Sequence, residues 1–121
     1  MKLLLVEDML LMGAGLEAAL NNASFDVHWV TNGQMAFDLL LRNTFRAIVL
    51  DINLPGLDGI SLLKQLRSLG CTLPVLLLTA CVTTRDKVRC FDSGGGHHFL
   101  VKTAELEDLI ECLHALICRA S

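Results

Sequence analysis

Apolar residues are distributed along the chain in two alternating rhythms. Five short runs, Lys2–Val6, Val27–Val30, Ala47–Leu50, Val75–Thr79 and Phe99–Val101, are rich in Leu, Val and Ile and too short for an ordinary helix. Each is followed by a longer stretch with apolar residues at three- and four-residue intervals: Leu10–Asn22, Gln34–Arg42, Ile60–Leu69, Thr83–Asp92 and Glu105–Arg119. The first rhythm predicts strands and the second amphipathic helices. Strands that read as continuous apolar runs belong to a parallel sheet covered on both faces, so five repeats predict an α/β three-layer sandwich. Turn residues agree: Asn21-Asn22 and Asn43 end helices, Leu73-Pro74 opens a strand, and Gly94-Gly95-Gly96 forms a loop through which no helix continues.

The chain length, 121 residues, fits one domain, 1–121, whose core needs no disulfide or metal staple. Its 53% hydrophobic content is divided into runs well short of a membrane span. Glu7 and Asp8 cut the N-terminal run too early for a signal peptide, so the expectation is a cytoplasmic protein away from the membrane. Cys71, Cys81, Cys90, Cys112 and Cys118 are odd in number and lack CxxC or Cys/His spacing, which reads as reduced thiols rather than a metal site. A net charge of −3 offers no basic face for nucleic acid, so any DNA contact falls to another module.

In open parallel sheets, ligands bind beyond the carboxyl ends of the strands. The residues expected there are Glu7 and Asp8 after the first strand, Asp51 with Asn53 after the third, Thr79 after the fourth and Lys102 after the fifth. Three carboxylates gathered on one edge repel one another until a proton or a cation relieves them. An all-oxygen site with few protein ligands suits Mg²⁺, which leaves positions for water and phosphate oxygens. Asp51, ending the central strand, is then the candidate nucleophile toward phosphorus. Thr79 and Lys102 supply the hydroxyl and the cation that phosphoryl transfer requires for positioning and charge neutralisation. Pro55, Gly56 and Gly59 shape the next loop and let backbone groups near Asn53 approach metal or phosphate.

Singly, each residue has a plainer reading. Glu7-Asp8 suits an acidic first helical turn with Asp8 as N-cap, and Asp51 a turn before Pro55. Thr79 suits an ordinary strand threonine and Lys102 a solvated lysine, while Asp58-Gly59 reads as a turn and N-cap pair. The coincidence of complementary groups at four strand ends favours chemistry.

Leu4-Leu5-Val6-Glu7-Asp8, Val49-Leu50-Asp51-Ile52-Asn53-Leu54-Pro55-Gly56-Leu57-Asp58-Gly59, Leu76-Leu77-Leu78-Thr79-Ala80 and Val101-Lys102 together resemble the receiver domain of two-component response regulators, over essentially the whole chain. Asp86-Lys87-Val88 and Leu113-His114-Ala115-Leu116 look closest to the OmpR/PhoB subfamily, whose members carry a C-terminal winged-helix DNA-binding domain. By the same resemblance, the last residues, 117–121, look like a cut near an interdomain linker. The resemblance implies a flavodoxin-like (βα)5 fold with a parallel five-stranded sheet in the order 2-1-3-4-5. It implies Asp51 as phosphoacceptor, Glu7 and Asp8 as the acidic pair around Mg²⁺, and the backbone carbonyl of Asn53 as a further metal ligand. It makes Thr79 the switch hydroxyl, Lys102 the phosphate-pairing lysine and Phe99 the switch aromatic, for which the plainer reading is a core aromatic. Asn53 and Cys81 match positions that influence hydrolysis of the aspartyl phosphate, and the small Ala80 leaves the acceptor open. The implied function is phosphorelay signalling. A sensor histidine kinase phosphorylates Asp51, and the surface of the fourth helix, fifth strand and fifth helix shifts to control an output, transcription in this subfamily. Such a domain is a switch rather than an enzyme, apart from Mg²⁺-dependent self-phosphorylation and self-dephosphorylation.

The chain departs from the family at several positions. Thr103 follows Lys102 where proline is usual, and the interval from Thr79 to Lys102 is one residue longer, with the extra residue assigned to Gly94-Gly95-Gly96. His97-His98 and Cys112 replace residues that form cross-subunit ion pairs in the activated homodimer, so a homodimer here lacks those pairs or depends on histidine protonation. The plainer reading of His97-His98 is two loop-edge histidines without a task. Three alternatives stand beside the receiver. One is a receiver-like interaction module that no longer uses phosphorylation. Another is a haloacid dehalogenase-type phosphohydrolase, whose second acid is replaced here by Asn53. The third is a flavodoxin-type electron carrier, whose flavin phosphate Glu7-Asp8 would repel.

Overall fold

The computed structural model describes residues 1–52, 59–79, 97–101 and 106–120. Along the chain these form β1 (Lys2–Val6), α1 (Leu10–Asn22), β2 (Asp26–Val30), α2 (Gly33–Arg42) and β3 (Ala47–Asp51), then α3 (Gly59–Ser68), β4 (Val75–Thr79), β5 (His97–Val101) and a C-terminal helix (Leu106–Ala120). The helix expected over Thr83–Asp92 lies outside the described residues, as do Asn53, Ala80, Cys81, Lys102, Thr103 and Gly94-Gly95-Gly96.

All strand pairs are parallel, and the sheet runs β2-β1-β3-β4-β5. Successive residues of a strand point to opposite faces, which divides the core in two. Leu4, Val6, Ile48, Leu50, Val75 and Leu77 pack with Ala36 of α2 and with Ile60, Leu62, Leu63 and Leu66 of α3. Leu3, Leu5, Val49, Leu76 and Leu78 pack on the other face with Leu16 and Leu20 of α1 and with Leu109, Leu113 and Leu116 of the C-terminal helix. Burial on both faces explains why these strands carry no polar alternation. The expected flavodoxin-like sandwich is therefore present. Among the described residues, no helix is long and apolar enough to cross a membrane.

Local chemistry sets the helix ends. The side-chain oxygen of Asn32 accepts from the Met35 amide at 2.9 Å, capping α2, and Asn43 Nδ2 donates to the Leu39 carbonyl at 3.2 Å at its other end. α1 ends where Ser24 adopts φ 73°, after which the Phe25 amide donates to the Leu20 carbonyl and the ring enters the core.

Besides β2, which begins one residue early at Asp26, two strand boundaries differ from the sequence-based expectation. β3 continues through Asp51, which pairs with Leu78, so the carboxylate belongs to the strand rather than to the turn beyond it. β5 begins at His97, with His97 opposite Val75 and His98 opposite Leu76, so the backbone of these histidines is in the strand and not at a loop edge. In both cases the neighbouring strand's N–H and C=O groups need partners, and that need extends pairing past the apolar run.

Helix α3 starts hard against the end of β3. The Gly59 amide donates to the Ile52 carbonyl at 2.8 Å, and a Cβ at Gly59 would lie 2.9 Å from Ile52 Cα and run into the Asp51 carbonyl. Because these obstacles are backbone, Gly59→Ala is expected to destabilise the domain by about 1–3 kcal/mol, read as a lowered urea midpoint. An unchanged midpoint would show that the β3–α3 junction tolerates a side chain.

Candidate metal and phosphate site

Strand register builds the site. Val6 of β1 pairs with Leu50 of β3, so Glu7 and Asp51, one residue further on each chain, stand side by side at the carboxyl end of the sheet. Both are buried, at 0% and 1% exposure, whereas Asp8 is partly exposed. One carboxylate oxygen from each of Glu7, Asp8 and Asp51 lies within 4.8 Å of the other two.

The backbone around these acids is held firmly. The Glu7 amide donates to the Val30 carbonyl at 3.1 Å, and the Glu7 carbonyl accepts from Trp29 Nε1 at 2.9 Å. Glu7 Oε1 accepts from the Met9 amide at 3.3 Å. Next to Asp51, the Ile52 amide donates to the Leu78 carbonyl at 3.0 Å. The N-cap position of α1 is Met9, without a side-chain cap, and the first turn of that helix has no acidic residue. Asp8 is thus not the N-cap that the plainer reading expected. The chain makes one more residue of turn before the helix begins, which leaves Asp8 beside the other two carboxylates.

Two buried carboxylates this close repel by on the order of 3–4 kcal/mol at an effective dielectric near 20. Oxygens sharing an Mg²⁺ ion at about 2.1 Å stand no more than about 4.2 Å apart, so the three acids need only a small closing movement to bind one. Hard anionic oxygens at this spacing fit a divalent cation well.

The other expected residues are placed less completely. Thr79 ends β4, one step beyond the residue paired with Asp51, and its own partner is Val101. Phe99 pairs with Leu77 in β5. Lys102 and Asn53 are outside the described residues. Among the described cysteines, Cys71 and Cys112 are free thiols. Sequence reasoning missed Trp29, because a lone tryptophan in a strand reads as core filler and nothing in its spacing signals a bond to Glu7.

The response regulator receiver domain model matches residues 3–114. The response regulator protein PmrA of Pseudomonas aeruginosa is 40% identical over 121 residues, covering 100% of this chain and 54% of that protein. The chain thus spans about half the length of the curated relatives it matches. Among solved structures, the Francisella response regulator 1452 receiver domain is similar with a TM-score of 0.91 and 30% identity, over 99% of this chain and 98% of that one. The receiver domain of a sensor histidine kinase from Pseudomonas aeruginosa PAO1, solved with a magnesium ion coordinated in its active site cleft, gives a TM-score of 0.86 and 30% identity over 96% of each chain. Several doubly wound folds could share the strand order and gather acids at this edge, and the match across residues 3–114 decides among them: the chain belongs to the response regulator receiver domain family.

Proposed function

We propose that this domain is a phosphoacceptor switch that takes a phosphoryl group from the phosphohistidine of a sensor histidine kinase onto Asp51. The observation that carries this reading is the gathering of Glu7, Asp8 and Asp51 within 4.8 Å at the ends of adjacent strands. Glu7, Asp8, one oxygen of Asp51 and the backbone carbonyl of Asn53 would hold Mg²⁺. When bound, the ion neutralises the crowded carboxylates and the phosphoryl oxygens. The second oxygen of Asp51 attacks phosphorus, the P–N bond to the kinase histidine breaks, and its imidazole leaves with the electron pair and takes up a proton. Thr79 donates its hydroxyl to a phosphoryl oxygen and Lys102 pairs with another. With Thr79 drawn toward the phosphoryl group and Phe99 following, the surface of the predicted fourth helix, β5 and the C-terminal helix shifts its conformational balance.

The relatives' greater length supports an output module following this domain in a whole cytoplasmic protein. In line with the OmpR/PhoB resemblance, that module is a winged-helix DNA-binding domain and the output is transcription. Homodimerisation through the switched surface would proceed without the family's ion pairs at His97, His98 and Cys112.

Beryllofluoride, which mimics a phosphoryl group on aspartate, tests this reading. Amide NMR spectra are expected to show Mg²⁺-dependent shifts near Asp51, Thr79 and β5 in the wild type and none in Asp51→Asn. Identical spectra with and without the mimic, or shifts that survive Asp51→Asn, would overturn it.

A further inference from the structure

We propose that Trp29 is a positioning residue for the acidic site, its indole N–H fixing the main chain of Glu7 from a seat that Gly13 keeps open. This role rests on the reading of Glu7, Asp8 and Asp51 as a Mg²⁺ site. Trp29 pairs with Leu5 in the β1–β2 ladder, and its side chain lies on the face covered by α1. From there Nε1 reaches the Glu7 carbonyl at 2.9 Å, across 22 residues of sequence. The other polar backbone group of Glu7, its amide, is held by Val30 of the same strand at 3.1 Å.

The geometry gives this pair of bonds a specific consequence. Each peptide unit is planar, so fixing the amide and the carbonyl of one residue fixes the planes on both sides of its Cα. The direction in which the Glu7 side chain leaves the backbone is then set, and so is the position from which Asp8 starts. Both acids are oriented by β2, a strand that contributes no carboxylate to the cluster. Gly13 is necessary to the arrangement. A Cβ there would stand 2.8 Å from Trp29 Nε1 and collide with Cε2 and Cζ2 of the same ring, pushing the donor away from Glu7. The chain has one tryptophan and no tyrosine, which makes this indole an isolated spectroscopic probe of the site.

The test separates the hydrogen bond from the bulk of the ring. Trp29→3-benzothienylalanine keeps the bicyclic shape and replaces N–H with sulfur, and Gly13→Ala displaces the ring while retaining its N–H. Isothermal titration with MgCl₂ is expected to show Mg²⁺ affinity reduced roughly two- to tenfold in each, with unchanged far-UV circular dichroism. In the wild type, the single indole ¹H–¹⁵N resonance is expected to be protected from solvent exchange and to shift as Mg²⁺ is added. Wild-type affinity in the benzothienyl protein, whatever its thermal midpoint, would reduce Trp29 to a filler. An indole N–H that exchanges freely and ignores Mg²⁺ would do the same without any variant. If the wild type binds no Mg²⁺, the reading of the acidic site fails and the role of Trp29 falls with it, an outcome distinct from the other two.

Discussion

Asp51→Asn is expected to lose phosphoryl uptake from acetyl phosphate entirely, within detection, and at the same time to unfold at a higher temperature than the wild type in metal-free buffer. The two effects have one cause. Asp51 is 1% exposed beside the fully buried Glu7, with Asp8 also within reach, so the site concentrates negative charge that water screens poorly. Asparagine keeps the shape but removes the charge, and with it both the nucleophile and part of the repulsion. The stability gain is expected to be on the order of 1–3 kcal/mol, smaller than the bare Coulomb figure because local relaxation already relieves part of the strain. Added Mg²⁺ should reverse the ranking. Binding to the folded wild type raises its midpoint through RT ln(1 + [L]/Kd), whereas the variant has lost a ligand and gains little. Thermal unfolding with and without MgCl₂ measures both effects. A variant less stable than the wild type without metal, or one gaining as much from Mg²⁺, would show that charge crowding does not govern this site.

Leu50→Ala is expected to have the largest effect on stability. Leu50 is fully buried, pairs with Val6 on one side and Leu77 on the other, and immediately precedes Asp51. Truncating it removes apolar contacts and leaves a cavity in the middle of the sheet, at a cost of about 2–5 kcal/mol. That is a large part of the roughly 5–15 kcal/mol that holds a domain of this kind together. Leu11→Ala offers the contrast, because Leu11 is 91% exposed and its loss should move stability by less than about 0.5 kcal/mol. Urea unfolding of both proteins checks the pair, and similar midpoints would contradict the assignment of Leu50 to the core.

Of the five strands, β1, β3 and β4 were the most legible, because burial on both faces leaves a run of Leu, Val and Ile that little else in a small domain produces. The strand order was not legible. Periodicity gives strand and helix but not neighbours, and the order 2-1-3-4-5 came from the family resemblance. Glu7, Asp8 and Asp51 were legible as a site because charge at the end of a buried run is conspicuous. Where an apolar run ends, however, is not where pairing ends, so the inclusion of Asp51 in β3 and of His97-His98 in β5 was hidden. The plainer reading of Asp8 as a helix N-cap, which the coincidence at the strand ends outweighed, fails because capping contributes only about 1 kcal/mol and Met9 takes the position instead. Trp29 was the least legible, because a side-chain bond to a backbone carbonyl 22 residues away leaves no trace in spacing.

The most direct test of Asp51 as phosphoacceptor is peptide mapping by mass spectrometry after incubation with acetyl phosphate and MgCl₂. The expected result is a single phosphoryl group on the peptide containing Asp51, labile to hydroxylamine as an acyl phosphate and absent when Mg²⁺ is chelated. A protein that takes up no phosphoryl group, or carries it on any other residue, would contradict the proposed function.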